Sequence, residues 1–167
     1  AKLQNLLGNN YWVKNFGVSG RTMLSKGDYP YINEQAYKDC QQFKPNIIVI
    51  KLGTNDSKPK NWKYKDEYVK DMRNMIGVFK ALDSKPKIYL CYPIKAFSNK
   101  YAISDTVIHD EVIPMIKKVA KKEKLSVIDL YTPFEHYKEG VQSDGIHPNE
   151  KGAQKMADVV YGAITKE

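Results

Sequence analysis

Three short runs of aliphatic and β-branched residues most constrain the fold of this 167-residue chain. Each run is continuously apolar rather than alternating, and turn-forming residues follow close behind it. Continuous apolarity over about four to eight residues is typical of strands buried on both faces, as in a parallel sheet. The runs are Ile47–Ile50, Ile88–Cys91 and Leu125–Leu130, and a further candidate strand is Tyr11–Phe16.

Helical patterns lie between the strands, because apolar residues recur there at three- and four-residue steps. The predicted helices cover Asn33–Phe43, Val69–Leu82, Ile108–Val119 and Ala153–Ile164. Pro114 should kink the third helix or mark its true start, and Asn149 is a candidate cap for the last one. Strands that alternate with helices predict a three-layer α/β/α sandwich with a parallel sheet, in one domain over residues 1–167.

The charge of the chain is basic, with 27 Lys and Arg residues against 19 acidic ones and a formal net charge of +8. Only Arg21 and Arg73 are arginines, whereas nucleic-acid readers depend on the bidentate guanidinium. We therefore expect a solvated lysine surface and no nucleic-acid partner.

No apolar run approaches the ~18–20 residues of a membrane helix, so no membrane partner is expected. Cys40 and Cys91 lack metal or redox spacing and are expected to be core thiols.

The clearest chemical pattern lies in the loop Ser143–Asn149, where an Asp stands three residues before a His. In a tight loop, the Asp144 carboxylate can turn back to hold one ring nitrogen of His147, which leaves the other nitrogen free as a general base. The alternative is a helix-entry turn with an incidental His. His109 and His136 lack such a context and are expected at the surface.

Two other loops follow strands and carry candidate hydrogen-bond donors. Asn55, in the turn Gly53–Asp56, could present its side-chain amide to an oxyanion, and Gly20 could donate its main-chain N–H. Both loops could equally be plain turns. Ser19 lies in a Gly-Val-Ser-Gly-Arg stretch that differs from a nucleophile elbow, which needs Gly where Arg21 stands. Ser19 is therefore a weak candidate for a nucleophile.

The three loops together resemble the SGNH hydrolase family, also called the GDSL esterases and lipases. Asn15–Thr22, Gly53–Asp56 and Asp144–Pro148 are similar to the second, third and fifth sequence blocks of that family. The stretch Asn55–Trp62 looks closer to a bacterial branch that includes sialate O-acetylesterase-like and acetylxylan esterase-like domains. The resemblance runs from Leu3 to about Thr165.

The resemblance implies a flavodoxin-like SGNH fold and a serine esterase that acts on O-acetyl groups, on a small molecule or a carbohydrate. It implies His147 as general base, oriented by Asp144, and an oxyanion hole formed by the Gly20 N–H and the Asn55 amide. Asp56 and Trp62 are weaker candidates for substrate binding. The resemblance implies neither a metal ion nor an organic cofactor.

The block that carries the nucleophile in this family, a Gly-Asp-Ser-type turn after the first strand, does not occur in these 167 residues. We therefore expect that roughly 25–40 residues upstream are missing, the length of a βα unit. Tyr11–Phe16 and Ile47–Leu52 would then flank a gap in the sheet, and the chain alone would have no esterase activity. The resemblance slightly favours a secreted or periplasmic protein, whose signal would lie upstream of Ala1.

Three alternative functions remain open at this point. The same machinery serves thioesterases and lysophospholipases. A binding module that has lost its nucleophile is a second alternative, although such a module has no use for an oriented base. A nucleotide-binding flavodoxin-like domain is a third, and the absence of a Gly-x-x-x-x-Gly-Lys-Ser/Thr pattern counts against it.

Overall fold

The sheet of the protein consists of three parallel strands. A computed structural model describes residues 2–166, and in it the strands are β1 (Ile47–Ile50), β2 (Lys87–Cys91) and β3 (Ser126–Ile128). The strand order is β1-β2-β3, with Ile47 opposite Lys87 and Leu90 opposite Val127. All three predicted apolar runs therefore form strands, and their carboxyl ends lie at one edge of the sheet.

Helices cover both faces of the sheet and make a three-layer α/β/α sandwich, as predicted. Buried residues of α2, α4 and α6 pack on one face, and α7, together with Leu3 of α1, packs on the other. The helices are α1 (Lys2–Leu7), α2 (Gln35–Gln42), α3 (Pro59–Trp62), α4 (Tyr68–Lys80), α5 (Asp105–Val107), α6 (Ile113–Glu123) and α7 (Glu150–Thr165). Within residues 2–166, no helix combines the length and the apolarity needed to cross a bilayer.

Alternation along the strands divides the core between the two faces. Ile48 and Leu90 point to the side of α4 and α6, whereas Tyr89 and Cys91 point to the side of α7. Cys91 and Cys40 are both buried free thiols, as expected. Burial raises the pKa of the Cys91 thiol to about 12, so this thiol stays neutral.

The helix that was predicted over Ile108–Val119 is interrupted at its start. A π-helical turn covers Ile108–Val112, and Pro114 lies in the first turn of α6. A proline is tolerated there because the first helical N–H groups have no partner within the helix. Pro114 thus marks the start of a helix, one of the two roles that the sequence allows.

The sequence predicts a strand over Tyr11–Phe16, and this prediction is wrong. Tyr11 has extended backbone angles, but the segment forms no strand in the described part of the chain. Instead, the Gln4 side-chain amide donates to Tyr11 O at 2.9 Å, and its oxygen accepts from Val13 N at 2.8 Å. One side chain thus makes hydrogen bonds that a neighbouring strand would otherwise supply.

The strand β1 is paired along one edge only in the described structure. Its hydrogen-bonded neighbour is β2, and no strand within residues 2–166 adjoins its other edge. Val49, in the middle of β1, is 37% exposed although it belongs to an apolar run. Lys51, directly after β1, is also exposed.

The start of α7 supplies a test of the fold. Asn149 Oδ1 accepts from Gly152 N at 3.1 Å as a helix cap, and Asn149 Nδ2 donates to Glu139 O at 2.7 Å and to Val141 O at 3.0 Å. We expect Asn149→Ala to lower the free energy of unfolding by about 1–2 kcal/mol, measured by urea denaturation. Asn149→Ser keeps a cap acceptor but loses both amide donations, so its loss should be intermediate. An alanine variant as stable as the wild type would contradict this role.

Candidate active site

A cavity of about 470 Å³ opens at the carboxyl ends of the strands. It is lined by the turn that contains Ser19 and Gly20, the loop Lys51–Asn55, residues that follow β2, and the loop before α7. Ligands of open α/β sheets bind at this end of the strands, because the connecting loops converge there. The cavity therefore collects three of the predicted site residues: Gly20, Asn55 and His147.

Asp144 and His147 form a hydrogen-bonded pair at the rim of the cavity. Asp144 Oδ2 lies 2.7 Å from His147 Nδ1, while Asp144 Oδ1 accepts from the main-chain N–H groups of His147 at 3.0 Å and Ile146 at 2.8 Å. These bonds, that to the imidazole first, hold the pKa of Asp144 well below its usual range. Asp144 is therefore a carboxylate that only accepts hydrogen bonds, and we assign the Nδ1 proton of His147 accordingly. Nε2 is then left with its lone pair.

The loop of this pair is held from two directions. Ser98 Oγ donates to Asp144 O at 2.6 Å, and Phe97 N donates to Gly145 O at 2.8 Å. On the other side, Gln142 N donates to His147 O at 2.8 Å, and Asn149 begins α7 two residues further on. The base is thus fixed between the loop after β2 and a helix, which restricts the orientations open to its ring.

The predicted oxyanion donors lie together in the lining of the cavity. Asn55 Nδ2 donates to Arg21 O at 3.2 Å, which ties the loop after β1 to the turn that contains Gly20. Gly20 has a φ of +80°, a left-handed conformation that favours glycine. In the described structure, the Gly20 N–H makes no backbone hydrogen bond, and one N–H of Asn55 remains free of Arg21. Two donors are therefore available to a developing oxyanion.

Gly53 determines how the loop after β1 leaves the strand. Its φ is +127°, and a Cβ atom there would lie 2.8 Å from Val112 Cγ1 and 2.9 Å from Tyr68 Oη. Both the backbone angle and the close packing therefore require glycine. This turn directs Asn55 into the cavity.

The structure does not bring Asp56 and Trp62 to the cavity. Asp56 is completely buried, and its carboxylate accepts from Met23 N at 3.0 Å and Leu24 N at 2.8 Å. Trp62 is also buried, with its ring 5.5 Å from that of Tyr68. Asp56 thus ties its turn to the segment of Met23 and Leu24, Trp62 packs α3 against α4, and neither residue lines the cavity.

Lys51 and Arg21, which the sequence analysis did not place in the site, also line the cavity. Tyr101 lines it too and packs edge-on to His147 with 6.0 Å between ring centroids. The sequence did contain a signal for Lys51, because it is a charged residue directly after the most hydrophobic strand.

His109 and His136 are exposed, as expected, and lie outside the cavity. In the described residues, no cluster of three or more His, Cys, Asp or Glu residues could hold a metal ion.

A parallel α/β sandwich with an Asp–His pair at its strand ends is the framework of the SGNH hydrolases. The chain belongs to the GDSL-like lipase/acylhydrolase family, whose model matches residues 1–155. The predicted family and fold class are thereby confirmed.

Relatives and solved structures agree with this assignment. The chain is 50% identical to an acetylxylan esterase of Xylanibacter ruminicola, over 98% of this chain and 38% of that protein, so it spans about two fifths of its curated relative. An acetyl xylan esterase, AlAXEase, superimposes with a TM-score of 0.67 and 19% identity, over 89% of this chain and 78% of its own. A GDSL-like lipase from Bacteroides thetaiotaomicron superimposes with a TM-score of 0.67 and 23% identity, over 90% of this chain and 74% of its own. These structures share the fold.

The buried Asp56 carboxylate generates a prediction on stability. Asp56→Ala leaves the N–H groups of Met23 and Leu24 without their acceptor, and we expect a loss of about 2–4 kcal/mol in the free energy of unfolding. Urea denaturation measures this loss. Asp83→Ala is the matched control, because Asp83 is exposed, and it should change stability by less than about 0.5 kcal/mol. Equal effects of the two substitutions would contradict the role of Asp56.

The same carboxyl group should make stability depend on pH. Burial raises the pKa of Asp56 to about 6, well above the ordinary value of an aspartic acid. The native state therefore binds this proton more tightly, and the contribution of Asp56 to stability decreases as the pH rises from about 4 to about 6. We expect Asp56→Ala to cost more at pH 4.5 than at pH 7.5, in denaturation series at both pH values. A larger cost at pH 7.5 would contradict this sign.

Proposed function

We propose that the protein is an esterase that removes O-acetyl groups from a carbohydrate through an acyl-enzyme. The observation that carries the proposal is the pairing of Asp144 with His147 at 2.7 Å on the cavity that Gly20 and Asn55 also line. An oriented base in the same cavity as two N–H donors is the arrangement that acyl transfer needs. A binding module would gain nothing from it.

The reaction runs through two displacements. A serine hydroxyl attacks the ester carbonyl while His147 Nε2 takes its proton, and the Asp144 carboxylate stabilises the imidazolium that forms. The Gly20 N–H and the Asn55 amide donate to the oxyanion of the tetrahedral intermediate. The intermediate collapses, the sugar hydroxyl leaves with the proton from His147, and the acetyl group stays on the serine. Water, deprotonated by the same base, then releases acetate.

The attacking serine is proposed to be one other than Ser19. Ser19 lines the cavity, but Arg21 stands where a nucleophile elbow has its second glycine, and Arg21 Nη1 donates to Ser19 O at 2.8 Å. Under this proposal, Ser19→Ala in the full natural protein leaves more than about a tenth of the activity. A loss comparable to that of the His147 variant would reassign the nucleophile to Ser19.

A carbohydrate is favoured as the substrate by two observations. Tyr101 is 54% exposed beside His147, so its ring can pack against the apolar face of a sugar. The relative with 50% identity is an acetylxylan esterase. Both support an acetylated polysaccharide, or its oligosaccharides, more than a long-chain lipid or thioester.

Replacement of the base tests the proposed function directly. We expect His147→Ala in the full natural protein to lower kcat/KM for p-nitrophenyl acetate and for acetylated xylo-oligosaccharides by about 10³-fold. His136→Ala is the matched control, since it removes an exposed imidazole outside the cavity, and it should retain full activity. Equal activities of the two variants, with both folded by circular dichroism, would contradict the role of His147 as the base, whereas no hydrolysis by the unsubstituted protein would support a binding module.

The oxyanion role of Asn55 gives a second prediction. Asn55→Ala should lower kcat by about 10²–10³-fold with a smaller change in KM, because the lost donor acts on the transition state. Steady-state kinetics on p-nitrophenyl acetate measures both parameters. An increase in KM at unchanged kcat would contradict this role and indicate ground-state binding.

A further inference from the structure

The wall of the candidate active site is positively charged. Arg21, Lys51 and Lys58 line the cavity, whereas none of the residues that line it is Asp or Glu. A cavity with one sign of charge attracts ligands of the opposite sign, because its low-dielectric walls focus the field. The lining therefore favours an anionic ligand over a neutral one of the same shape.

Two of these cations have acidic partners outside the cavity. Arg21 Nε lies 2.7 Å from Glu34 Oε1, so its charge is largely compensated. Lys58 Nζ lies 3.9 Å from Asp28 Oδ2, and the same oxygen is 2.7 Å from Lys60 Nζ. Lys58 therefore shares its counter-charge with a closer lysine.

Lys51 is the cation that remains without a partner. Within the described part of the chain, it forms neither an ion pair nor a hydrogen bond, although it lies directly after β1 at the cavity. The titratable group near it is Cys91, a thiol that is kept neutral. Lys51 is exposed and lines the cavity, yet desolvation by the surrounding protein atoms lowers the pKa of its ammonium. A partly desolvated cation without a counter-charge is unfavourable, and an anionic ligand would relieve it.

The anion bound by Lys51 is a group other than the reacting ester. Lys51 and the proposed oxyanion donors line the same cavity, but an acetyl ester carries no charge and cannot neutralise an ammonium. An anion at Lys51 therefore belongs to a neighbouring part of the substrate. A carboxylate is the anion that saccharides most simply supply, as a uronic acid.

We propose that Lys51 binds a carboxylate on a sugar next to the acetylated one, so that the site prefers acidic saccharides over neutral ones. This inference rests on the proposed function, because the ligand enters the same cavity. Lys51 is a specificity-determining residue in this proposal, and it takes no part in proton transfer or oxyanion binding.

Binding of deacetylated ligands tests the inference without any turnover. The probes are a xylo-oligosaccharide that carries one glucuronic acid and the unsubstituted oligosaccharide of the same length, titrated by calorimetry into the full natural protein at low salt. We expect the acidic probe to bind about tenfold more tightly or better, and added salt to reduce this ratio. Equal affinities, or binding of neither probe at millimolar concentration, would overturn the proposal.

Variants assign the preference to one residue. Lys51→Met keeps the length of the side chain without its charge and should bring the ratio to within about twofold, whereas Lys51→Arg should restore most of it. Lys118→Met is the control, because Lys118 lines a separate basic groove between α4 and α6, and it should keep the wild-type ratio. A preference that survives in Lys51→Met, or that Lys118→Met also abolishes, would contradict the assignment.

Acetate release separates this inference from the proposed function. The acetylated forms of the two probes should be hydrolysed with the same order of preference. If neither is hydrolysed while the acidic probe still binds more tightly through Lys51, the esterase proposal fails and the carboxylate site stands. If both are hydrolysed at equal kcat/KM and bind equally, the esterase proposal stands and the carboxylate site fails.

Discussion

Parallel pairing of β1, β2 and β3 is the interaction on which the rest of the structure depends. It brings the carboxyl ends of the strands to one edge, so that loops far apart in sequence meet there. Asn55 follows β1, and Ser98, in the loop that follows β2, supports the carbonyl of Asp144. A shift of one residue in the β1–β2 register would move the side chains of β1 to the wrong face of the sheet and separate these groups. The hydrophobic pattern of the strands therefore also fixes the chemistry.

Much of the fold and the chemical pair could be predicted because their signals are local. The apolar run Ile47–Ile50 needs no partner to be recognised, and the Asp144–His147 contact spans three residues of one loop. Asn149 was recognisable as a cap for the same reason. Predictions that depend on a distant neighbour were less secure. Tyr11–Phe16 has strand-like composition, but in the described structure Gln4 makes the hydrogen bonds that a neighbouring strand would supply.

Asp56 illustrates why a turn residue cannot be assigned from its local sequence. In the stretch Gly53–Asp56, an Asp can be a turn former, a ligand contact or a buried acceptor. The local sequence is the same in all three cases, so it does not distinguish these roles. The deciding groups are the N–H groups of Met23 and Leu24, more than 30 residues away. Lys51 was overlooked for a related reason, since a charge at the end of a strand is ordinary until the surrounding loops are seen to lack a counter-charge.

One side chain joins the helix α7 to the loop that carries the base. Asn149 caps α7 through Gly152 and also holds the carbonyls of Glu139 and Val141, while His147 lies two residues before it. The first turn of α7 and the His147 loop should therefore open together, as one unit of local unfolding. Fraying of the helix would then misalign the base before the core loosens. Loss of function on heating would in that case precede loss of the fold. The activity of the site would then depend on whether the first turn of α7 is intact.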